Sequence, residues 1–367
     1  MKILLLEPFF AGSHRAWAEG YQKHSRHEVH ILNLSGRHWK WRMAGGAVAM
    51  AENFLAAAFK PDLILATDML DLTTFLSLTR KQTADIPTAI YFHENQINYP
   101  WSPDDPDKSL QRDHHYGFIN YTSALAADRV FFNSAFHRDA FLAALPDFLK
   151  MFPDQNGLTN VERIAQKSEV LPLGLDLNRF LKFQNEAAAG PPKILWNHRW
   201  EYDKDPDTFF EILFKLADES VDFQLIVLGE SYAKTPPVFE EAKKKLAGRI
   251  LHFGFAKRFE DYANWLWNAD ILPVTSRQDF FGISAVEAIF CNCFPLLPER
   301  LAFPEHIPAA FKNKHFYTDP DDLFQKLKAA CQNIHELRAG PDYQNFVARY
   351  DWTIFAPLYD ERFSRLF

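Results

Sequence analysis

Twelve short apolar runs, separated by segments of helix length, constrain the fold of this chain more than any other feature. Those of the first half are Ile3–Leu6, Val29–Leu32, Leu63–Ala66, Ala89–Phe92, Val130–Phe132 and Val170–Leu173. Those of the second half are Ile194–Trp196, Leu225–Leu228, Ile250–Phe253, Ile271–Val274, Phe294–Leu297 and His315–Tyr317. Near-continuous apolar strands that alternate with helices are typical of parallel sheets covered on both faces. The pattern therefore predicts an α/β chain of two Rossmann-like, doubly wound domains.

The domain boundaries follow from the segment Phe183–Pro192, which is small and polar and ends in Gly-Pro-Pro before a new strand. We predict an N-terminal domain at residues 1–182 and a C-terminal domain at residues 193–345, a division that suits a chain of 367 residues. Residues 346–367 have the pattern of an amphipathic helix, and we expect this helix to cross back to the N-terminal domain. Its apolar positions are Ile354, Phe355, Leu358 and Phe363.

Charge and cysteine content indicate the kind of partner and the cellular compartment to expect for this protein. The net charge is −7, yet residues 1–60 contain eight Lys and Arg against four Asp and Glu and so carry +4, which leaves −11 for the rest. A basic region in an acidic chain suits a local anionic partner. The odd number of cysteines argues against a disulfide framework, and Cys291 and Cys293 are interpreted as core residues rather than metal ligands. Because no apolar stretch reaches about 18 residues, we expect a cytoplasmic protein without a membrane span.

The segment GRHWKWR, Gly36–Arg42, is the most distinctive part of the basic region and follows the second apolar run. Its Trp39 and Trp41 alternate with Lys40 and Arg42. Two interpretations stay open at this point. Either the tryptophans pack under the stems of the cations, or the segment holds a partner that is both anionic and aromatic.

Candidate site residues follow the predicted strands, because open parallel sheets bind ligands beyond the carboxyl ends of their strands. Gly12 and Ser13 follow the first strand and precede a helix, where backbone amides favour an anion; an ordinary capped turn is the alternative. The fourth strand is followed by four hydrogen-bonding side chains, His93, Glu94, Asn95 and Gln96. The long irregular segment 97–121 comes next and contains the pair His114-His115. Loops of this length in compact domains are usually functional.

Cations and carboxylates follow two strands of the second half. Arg199 and Lys204 stand five residues apart and suit a diphosphate, although the mixed charge around them also fits a solvated turn. Asp279 and Glu287 stand eight residues apart after the tenth run. Between them lie the residues of a bend and a helix start, Phe281, Gly282 and Ile283. The first amides of that helix favour phosphate, and Glu287, about one turn into it, can accept from a ribose diol.

The spacing Arg199-x4-Lys204 and then Asp279-x7-Glu287 resembles the donor site of the family 4 glycosyltransferases, whose pattern is Arg-x4-Lys followed by Glu-x7-Glu. The resemblance implies the GT-B fold, in which two Rossmann-like domains hold a nucleotide sugar in the donor cleft between them. This chain departs from the pattern at Asp279, which is one methylene shorter than the usual Glu, and at Asn292, where Gly is common. The first departure changes the reach of the carboxylate toward the sugar.

A narrower resemblance is carried by the strings FHENQINYP, RHWKWR, NHRWEYDKDP and DFFGISAVEAIFCNCFPLLPERLAFPE. They are spread over both halves and look like the tRNA-queuosine mannosyltransferase family. That resemblance implies a retaining glycosyltransferase that moves a hexose, mannose from GDP-mannose, onto queuosine in the anticodon of a tRNA. Two alternatives remain open: a GT-B glycosyltransferase with another donor or with a glycan, lipid or small-molecule acceptor, and a non-catalytic protein that binds a nucleotide sugar or RNA.

The resemblance also implies roles for individual residues. The catalytic set would comprise His93 and Asp279 near the transferred hexose, and Arg199 and Lys204 on the donor diphosphate. The remaining donor-binding residues would be Gly12, Ser13, Phe281, Gly282, Ile283 and Glu287. The acceptor-binding residues would be Arg37, Trp39, Lys40, Trp41, Arg42, Glu94, Asn95, Gln96, His114 and His115. No cofactor and no metal are expected, since two cations neutralise the diphosphate. The expected partners are a nucleotide sugar and a tRNA, with no obligate protein partner.

Overall fold

The computed structural model describes residues 1–101, 105, 107, 114–184, 189–230, 235–340 and 342–366. Its internal contacts divide the chain into two units, Met1–Asp176 with Tyr350–Phe367, and Leu177–Arg349. Each unit is built on a parallel six-stranded sheet, which confirms the fold class that the twelve apolar runs predict. Among the helices that the structure describes, none combines the length and the apolar character needed to cross a membrane.

The sheet of the first unit has the strand order β2-β1-β3-β4-β5-β6. Its strands are β1 (Lys2–Phe10), β2 (Glu28–Ser35), β3 (Leu63–Thr67), β4 (Thr88–Phe92), β5 (Arg129–Phe132) and β6 (Ser168–Val170). Every residue of β3 and β4 is buried, as expected for central strands with helices on both faces. The strand order reverses between β1 and β3, and β4 pairs with β3. The carboxyl ends of these three strands therefore form the edge at which such sheets bind ligands.

The helices that connect these strands are α1 (Gly12–His24), α2 (Trp39–Ala56), α3 (Leu72–Thr83), α4 (His114–Ala126), α5 (Ala135–Lys150) and α6 (Thr159–Gln166). Side-chain caps fix two of the helix starts. Asp71 accepts a hydrogen bond from the Thr74 amide at 3.0 Å, and Ser134 accepts one from the His137 amide at 3.0 Å. Helix α1 begins two residues beyond β1, so its first turn lies at the ligand edge of the sheet.

The sheet of the second unit has the order β12-β11-β10-β7-β8-β9. Its strands are β7 (Lys193–Trp196), β8 (Gln224–Val227), β9 (Ile250–Phe253), β10 (Ile271–Pro273), β11 (Phe294–Pro298) and β12 (Phe316–Tyr317). The order reverses between β7 and β10, which are neighbours in the sheet. The segments that follow these two strands therefore meet at the ligand edge of the second unit.

The helices of the second unit are α7 (Pro206–Asp218), α8 (Val238–Lys245), α9 (Phe259–Asn268), α10 (Ile283–Phe290), α11 (Lys312–His315), α12 (Pro320–Gln332), α13 (Ile334–Arg338) and α14 (Gln344–Val347). Between α10 and β11, Asn292 has a φ of 68°. Asn tolerates this left-handed conformation, which explains how it can replace the Gly expected at this position from the family 4 pattern. Cys291 and Cys293 beside it are buried free thiols.

The second unit begins earlier in the chain than the predicted join at Phe183–Pro192. Asn178–Phe183 forms a 3-10 helix in which Phe180 is fully buried, with its ring centroid 4.8 Å from that of Phe259. This packing assigns the helix to the second unit and sets the boundary at Asp176–Leu177. The predicted linker also includes residues 185–188, which lie outside the described residues.

The C-terminal segment belongs to the first unit and forms helix α15 (Trp352–Ser364). The indole of Trp352 is held between two glycines, because a Cβ on Gly20 or on Gly174 would come within 2.1 Å or 2.3 Å of it. About two turns further along the same face of α15, Tyr359 accepts a hydrogen bond from Nε1 of Trp17 in α1 at 3.1 Å. These contacts attach the end of the chain to its first helix.

The buried face of α15 differs in part from the predicted one. It consists of Trp352, Phe355, Ala356, Tyr359, Asp360 and Phe363. Ile354 is 55% exposed, because a period of 3.6 residues turns it away from Phe355 and Tyr359. The pattern of apolar letters missed Tyr359 and Asp360, whose polar atoms are satisfied inside the first unit.

Candidate functional site

Glu7 and His14 form a buried pair at the ligand edge of the first unit. Nδ1 of His14 lies 3.0 Å from Oε2 of Glu7, and the residues are 7% and 0% exposed. Burial alone would lower the pKa of His14, but the charge of Glu7 and its hydrogen bond raise that pKa to about 9. His14 is therefore protonated at neutral pH and brings a positive charge to the first turn of α1. The sequence predicts only Gly12 and Ser13 from this turn.

His93 follows β4 and lies beside that pair, with its ring centroid 4.3 Å from that of His14. Its amide donates to Oδ1 of Asp68 at 2.7 Å, and its carbonyl accepts from Asn133 at 2.8 Å, so the backbone of His93 is held on both sides. Burial, followed by the charges of His14 and His137, lowers the pKa of His93 well below its usual range. The ring is thus neutral, and its buried Nε2 has no hydrogen-bond partner among the residues that the structure describes.

The three polar residues after His93 divide into two kinds. Asn95 is fully buried and builds a turn, since its Oδ1 accepts from the amides of Ile97 and Asn98 at 3.1 and 2.9 Å. Glu94 and Gln96 are partly exposed, and Nε2 of Gln96 donates to Oε1 of Glu94 at 2.9 Å. The predicted acceptor role therefore suits Glu94 and Gln96 better than Asn95, whose side-chain oxygen is already engaged.

Glu7, His14 and His93 together have the composition of a metal site. Each offers one ligand atom, and the three atoms lie within 4.8 Å of one another. The raised pKa of His14 works against such a site, because a metal ligand must be deprotonated and Glu7 favours the proton on His14. The expectation that the protein uses no metal remains a prediction.

The basic segment after β2 has one exposed aromatic ring and one engaged lysine. Nζ of Lys40 lies 2.6 Å from carboxylate oxygens of both Asp105 and Asp107, so its ammonium group is held by ion pairs inside the first unit. Trp39 is half-buried, and its ring centroid lies 5.2 Å from that of Tyr116. By contrast, Trp41 is 64% exposed. Lys40 and Trp39 thus pack within the first unit, whereas Trp41 is available to a partner.

The other cations and histidines predicted to bind the acceptor differ in their exposure and their hydrogen bonds. Arg42 donates to the carbonyl and the hydroxyl of Ser35, both at 3.0 Å, which fixes its guanidinium beside the end of β2. Arg37 is exposed one residue before the left-handed His38 that precedes α2. His114 and His115 are both exposed at the start of α4.

Arg199 and Lys204 follow β7 in the second unit and have different environments. The Arg199 guanidinium is 45% exposed and lies 3.0 Å from Glu201. Lys204 is buried, and its Nζ lies 3.1 Å from both Asp203 and Asp279 and donates to the Gln278 carbonyl at 2.8 Å. Burial would lower the pKa of Lys204, but the carboxylates of Asp279 and Asp203 raise it. Lys204 therefore stays charged and joins the segment after β7 to the segment after β10.

The carboxylate of Glu287 lies one turn inside α10 and has two partners that the sequence does not reveal. Its Oε2 accepts a hydrogen bond from the hydroxyl of Tyr262 at 2.7 Å, and its Oε1 lies 3.4 Å from Arg179. Burial raises the pKa of Glu287, while Arg179 and the Tyr262 hydroxyl act in the opposite direction. Tyr262 lies on α9 and Arg179 on the 3-10 helix that opens the unit, so only the fold brings them to Glu287.

The start of α10 has the conformation that the sequence predicts. Gly282 precedes the helix with a φ of 85°, a conformation that glycine adopts readily, and a Cβ there would lie 2.8 Å from the ring of Phe303. Phe281 is buried, and its carbonyl accepts from Nε2 of His306 at 2.6 Å. Ile283 is the first residue of α10. These contacts fix the helix N-terminus, whose amides favour an anion.

His198 and Asn197, which precede Arg199, reach the same helix start and were not predicted. Nδ1 of His198 lies 2.8 Å from the hydroxyl of Ser284, and Nδ2 of Asn197 donates to the Ser284 carbonyl at 2.7 Å. Both residues are at least nine-tenths buried. No signal in the sequence pairs residues 86 and 87 positions apart, although His198 does stand directly before a predicted site residue.

A cavity of about 530 Å³ lies beyond β9 in the second unit. It is lined by His252, Phe255, Ala256, Lys257, Asp261, Asn264, Trp265 and Asn268. The rings of His252 and Trp265 lie 5.0 Å apart at 33°, and Phe255 is 60% exposed. Helix α9 contributes to this cavity and, through Tyr262, to the position of Glu287.

Two family models match the chain. The model described as tRNA-queuosine alpha-mannosyltransferase N-terminal matches residues 2–175, and the model described as Glycosyl transferases group 1 matches residues 178–339. The two matches meet at the boundary between the structural units.

Curated relatives cover the chain to different extents. A tRNA-queuosine alpha-mannosyltransferase of Drosophila melanogaster is 33% identical over 357 residues, which are 94% of this chain and 91% of that protein. A GDP-mannose-dependent alpha-(1-6)-phosphatidylinositol dimannoside mannosyltransferase of Mycobacterium tuberculosis is 27% identical over 200 residues, which are 52% of this chain and 46% of that protein. The first similarity extends over both units.

Solved structures with low sequence identity share the architecture along the whole chain. The Anabaena protein HepE, in complex with UDP and glucose, is 15% identical with a TM-score of 0.67, and the match covers 99% of both chains. A sucrose-phosphate synthase from Thermosynechococcus elongatus is 14% identical with a TM-score of 0.70, over 100% of this chain and 99% of that one. With the group 1 glycosyltransferase match, these similarities confirm the predicted GT-B fold.

Proposed function

Because the chain belongs to the tRNA-queuosine alpha-mannosyltransferase family, we propose that it transfers mannose from GDP-mannose to queuosine in the anticodon of a tRNA. The anomeric configuration is retained. The reaction takes place in the cytoplasm, where tRNA is available, and needs no obligate protein partner. Since one fold supports many activities, the proposal depends on the site residues rather than on the GT-B architecture.

The observation that best supports donor binding is the buried Lys204, whose Nζ donates to the Gln278 carbonyl in the segment that precedes α10. Its ammonium group stays charged between Asp279 and Asp203. A charged amine, the exposed guanidinium of Arg199 and helix N-terminal amides form a set that suits a diphosphate. In the proposal Arg199 and Lys204 bind the diphosphate together with the backbone of Phe281, Gly282 and Ile283.

The carboxylates of the second unit bind the ribose and the hexose of the donor. Glu287 accepts from the ribose hydroxyls, and Tyr262 orients it by donating to Oε2 at 2.7 Å. Asp279 has one oxygen 3.1 Å from Lys204, whereas its other oxygen is buried without a partner among the described residues. That second oxygen suits a hydroxyl group of the hexose.

The first unit supplies the remaining roles. In the proposal the first amides of α1, at Gly12 and Ser13, bind the donor. The neutral His93, whose buried Nε2 has no partner among the described residues, binds the hexose. The acceptor tRNA contacts Arg37, Trp41 and Arg42, with Trp41 stacking on an unpaired base. Trp39 and Lys40 support these residues from within the unit, and the Glu94–Gln96 turn and the exposed His114-His115 pair complete the acceptor surface.

The proposed mechanism is a front-face substitution at the anomeric carbon. The bond from that carbon to the diphosphate oxygen breaks, and a bond from the same face to the queuosine hydroxyl oxygen forms. The hydroxyl proton passes to the departing diphosphate, so atoms and charges balance without a protein base. The protein accelerates this step by stabilising the leaving diphosphate with Arg199 and Lys204 and by positioning the acceptor. No metal is required, because those two cations supply the charge.

The proposal is tested by incubating the protein with radiolabelled GDP-mannose and tRNA that contains queuosine. We expect label in the tRNA only when queuosine is present, with tRNA from queuosine-deficient cells as the matched control. Label in both tRNAs would contradict the queuosine acceptor. A protein that binds GDP-mannose and transfers label to neither tRNA would contradict the transferase activity on tRNA.

A further inference from the structure

Buried polar atoms without partners gather where the segments after β7 and β10 meet. They are Oδ1 of Asn197, Nε2 of His198, Oγ of Ser276, Nε2 of Gln278 and Oδ2 of Asp279, none of which has a hydrogen-bond partner within the described parts of the chain. Leaving such atoms unsatisfied is unfavourable, so native proteins rarely bury them together unless a ligand completes their bonds. The segments that carry them are those of the proposed donor site, on which this inference depends.

His198 is the most firmly held member of this group. Its side chain is bound at Nδ1 by the Ser284 hydroxyl at 2.8 Å, and its ring meets that of Trp196 edge to face at 5.3 Å. Its carbonyl accepts from Nε1 of Trp196 at 2.9 Å, and a Cβ on Gly229 would approach the same carbonyl to 1.9 Å. The imidazole is therefore fixed before any ligand arrives, and Nε2 is its one remaining polar atom.

The charge around His198 indicates which ligand group Nε2 binds. Ser284 lies in the first turn of α10, whose backbone amides favour an anion. The side-chain charges that act on His198 are mixed, because the carboxylates of Asp279 and Asp203 offset the cations of Lys204 and Arg199. His198 is 3% exposed, so a charge on its ring would cost free energy before the donor binds. A neutral imidazole avoids that cost and still offers one N–H, provided that the Ser284 hydroxyl donates to Nδ1.

We propose that His198 is a further donor-binding residue, in which Nε2–H donates a hydrogen bond to an oxygen of the GDP diphosphate. Ser284 acts through His198 as a positioning residue, because its hydroxyl selects the tautomer with the proton on Nε2. Arg199 and Lys204 supply charge to the diphosphate, whereas His198 supplies a neutral, directional contact. The hexose is not its ligand.

The first experiment measures the affinities of GDP and of GDP-mannose by calorimetry. We expect His198→Ala to weaken both by the same factor, about ten- to a hundred-fold for a lost hydrogen bond to a charged group. His198→Gln, which keeps an N–H near the position of Nε2, should recover part of the loss. Weaker binding of GDP-mannose with unchanged binding of GDP would identify a hexose contact and overturn the proposal, as would unchanged binding of both.

A matched control is His315→Gln in the same unit. His315 is also buried, is bound at Nδ1 by the Pro295 carbonyl at 2.9 Å, and has an Nε2 without a partner in the described chain. The His315→Gln substitution should lower the stability of the protein without changing its affinity for GDP. Wild-type protein that fails to bind GDP would overturn the proposed function, whereas wild-type binding with an equally strong His198→Ala variant would overturn only this inference.

A second measurement uses the protein without any substitution. Burial lowers the pKa of His198 to about 4, so its ring is neutral in the free protein. A phosphate oxygen at Nε2 favours the imidazolium, and we expect saturating GDP to raise the pKa, followed by 15N chemical shifts of labelled histidine, by about one unit or more. An Nε2 resonance that GDP leaves unshifted would overturn the proposal.

Discussion

Glu7 and His14 share a hydrogen bond of 3.0 Å at the point where β1 passes into α1, and they hold a positive charge in a buried place. His14 has a pKa of about 9 in the folded protein and 6.5 as its ordinary value. Its protonation therefore stabilises the fold fully below about pH 6.5, and this contribution disappears as the pH rises through about 9. The pair thus predicts a loss of stability in alkaline solution.

The first prediction concerns Glu7→Gln, which removes the charge that holds the proton on His14. Between about pH 6 and pH 10, the wild-type free energy of unfolding should fall by roughly 2–3 kcal/mol more than that of the variant. Urea unfolding at a series of pH values measures this difference. Glu28→Gln, at an exposed position of β2, is the control and should follow the wild type. Parallel curves for wild type and Glu7→Gln would contradict the predicted charge on His14.

The second prediction separates donor binding from folding at Arg199. Its side chain is 45% exposed, so Arg199→Ala should change the free energy of unfolding by less than about 0.5 kcal/mol. Turnover of GDP-mannose should nevertheless fall about a hundred-fold or more, because the leaving diphosphate loses a cation. Arg129→Ala is the matched control, since Arg129 is also 45% exposed and pairs with Glu169 at 3.9 Å. Equal turnover in the two variants would remove Arg199 from the site.

The third prediction concerns the hydroxyl that orients Glu287. Tyr262→Phe removes the 2.7 Å hydrogen bond to Oε2 and should raise the pKa of Glu287 further, since that bond acts against the effect of burial. Glu287 then becomes protonated at a higher pH. The KM for GDP-mannose should rise about ten-fold at neutral pH, and its increase on acidification should begin at a higher pH than in the wild type. A pH profile of KM with the wild-type midpoint would disprove this role for Tyr262.

The fourth prediction assigns acceptor binding to Trp41. Trp41→Ala should raise the KM for tRNA about five- to a hundred-fold, the usual effect of losing one base–aromatic stack, and leave GDP affinity unchanged. Val48→Ala is the control, because Val48 is another exposed apolar residue of α2, at 45% exposure. Lys40→Ala should mainly lower stability, because it leaves Asp105 and Asp107 without their cation. A Trp41→Ala enzyme with the wild-type KM for tRNA would leave the segment a structural role only.

The fifth prediction is that the enzyme works without a metal ion. Dialysis against EDTA should leave transfer of mannose unchanged, and elemental analysis of the active protein should find less than one equivalent of any transition metal. If activity is lost and returns with one added metal, Glu7, His14 and His93 are the first ligands to examine, because their ligand atoms lie within 4.8 Å of one another. His14→Ala would then abolish the restoration.

The strands and the start of α10 could be predicted because their signals are local in the chain. Apolar runs identify β1 to β12, and Gly282 before Ile283 identifies a helix start. Arg199 and Lys204 could likewise be assigned to the ligand edge of the second unit from the sequence, since both follow β7 in the chain. Features that depend only on one short segment and the turn beside it can be predicted from the sequence.

Contacts between distant segments account for what the sequence did not reveal. Lys40 pairs with Asp105 and Asp107, which are 65 and 67 residues away, and no local pattern distinguishes it from a lysine that binds phosphate. The same holds for Tyr262 on α9, which meets Glu287 across 25 residues. Both pairings were missed, because the order of the strands in the sheet, rather than spacing in the chain, decides which charges and hydroxyls meet.

The indole of Trp352 between Gly20 and Gly174 has a consequence for how the protein is made. The first unit takes part of its interior from Tyr350–Phe367, which is translated after the second unit, whereas the second unit is one uninterrupted stretch, Leu177–Arg349. During synthesis, the second unit has its whole sequence before the first does. The first unit therefore begins to emerge before the second unit and is completed only after it. Until α15 arrives, the groove for Trp352 exposes an apolar surface that chaperones or neighbouring chains can occupy.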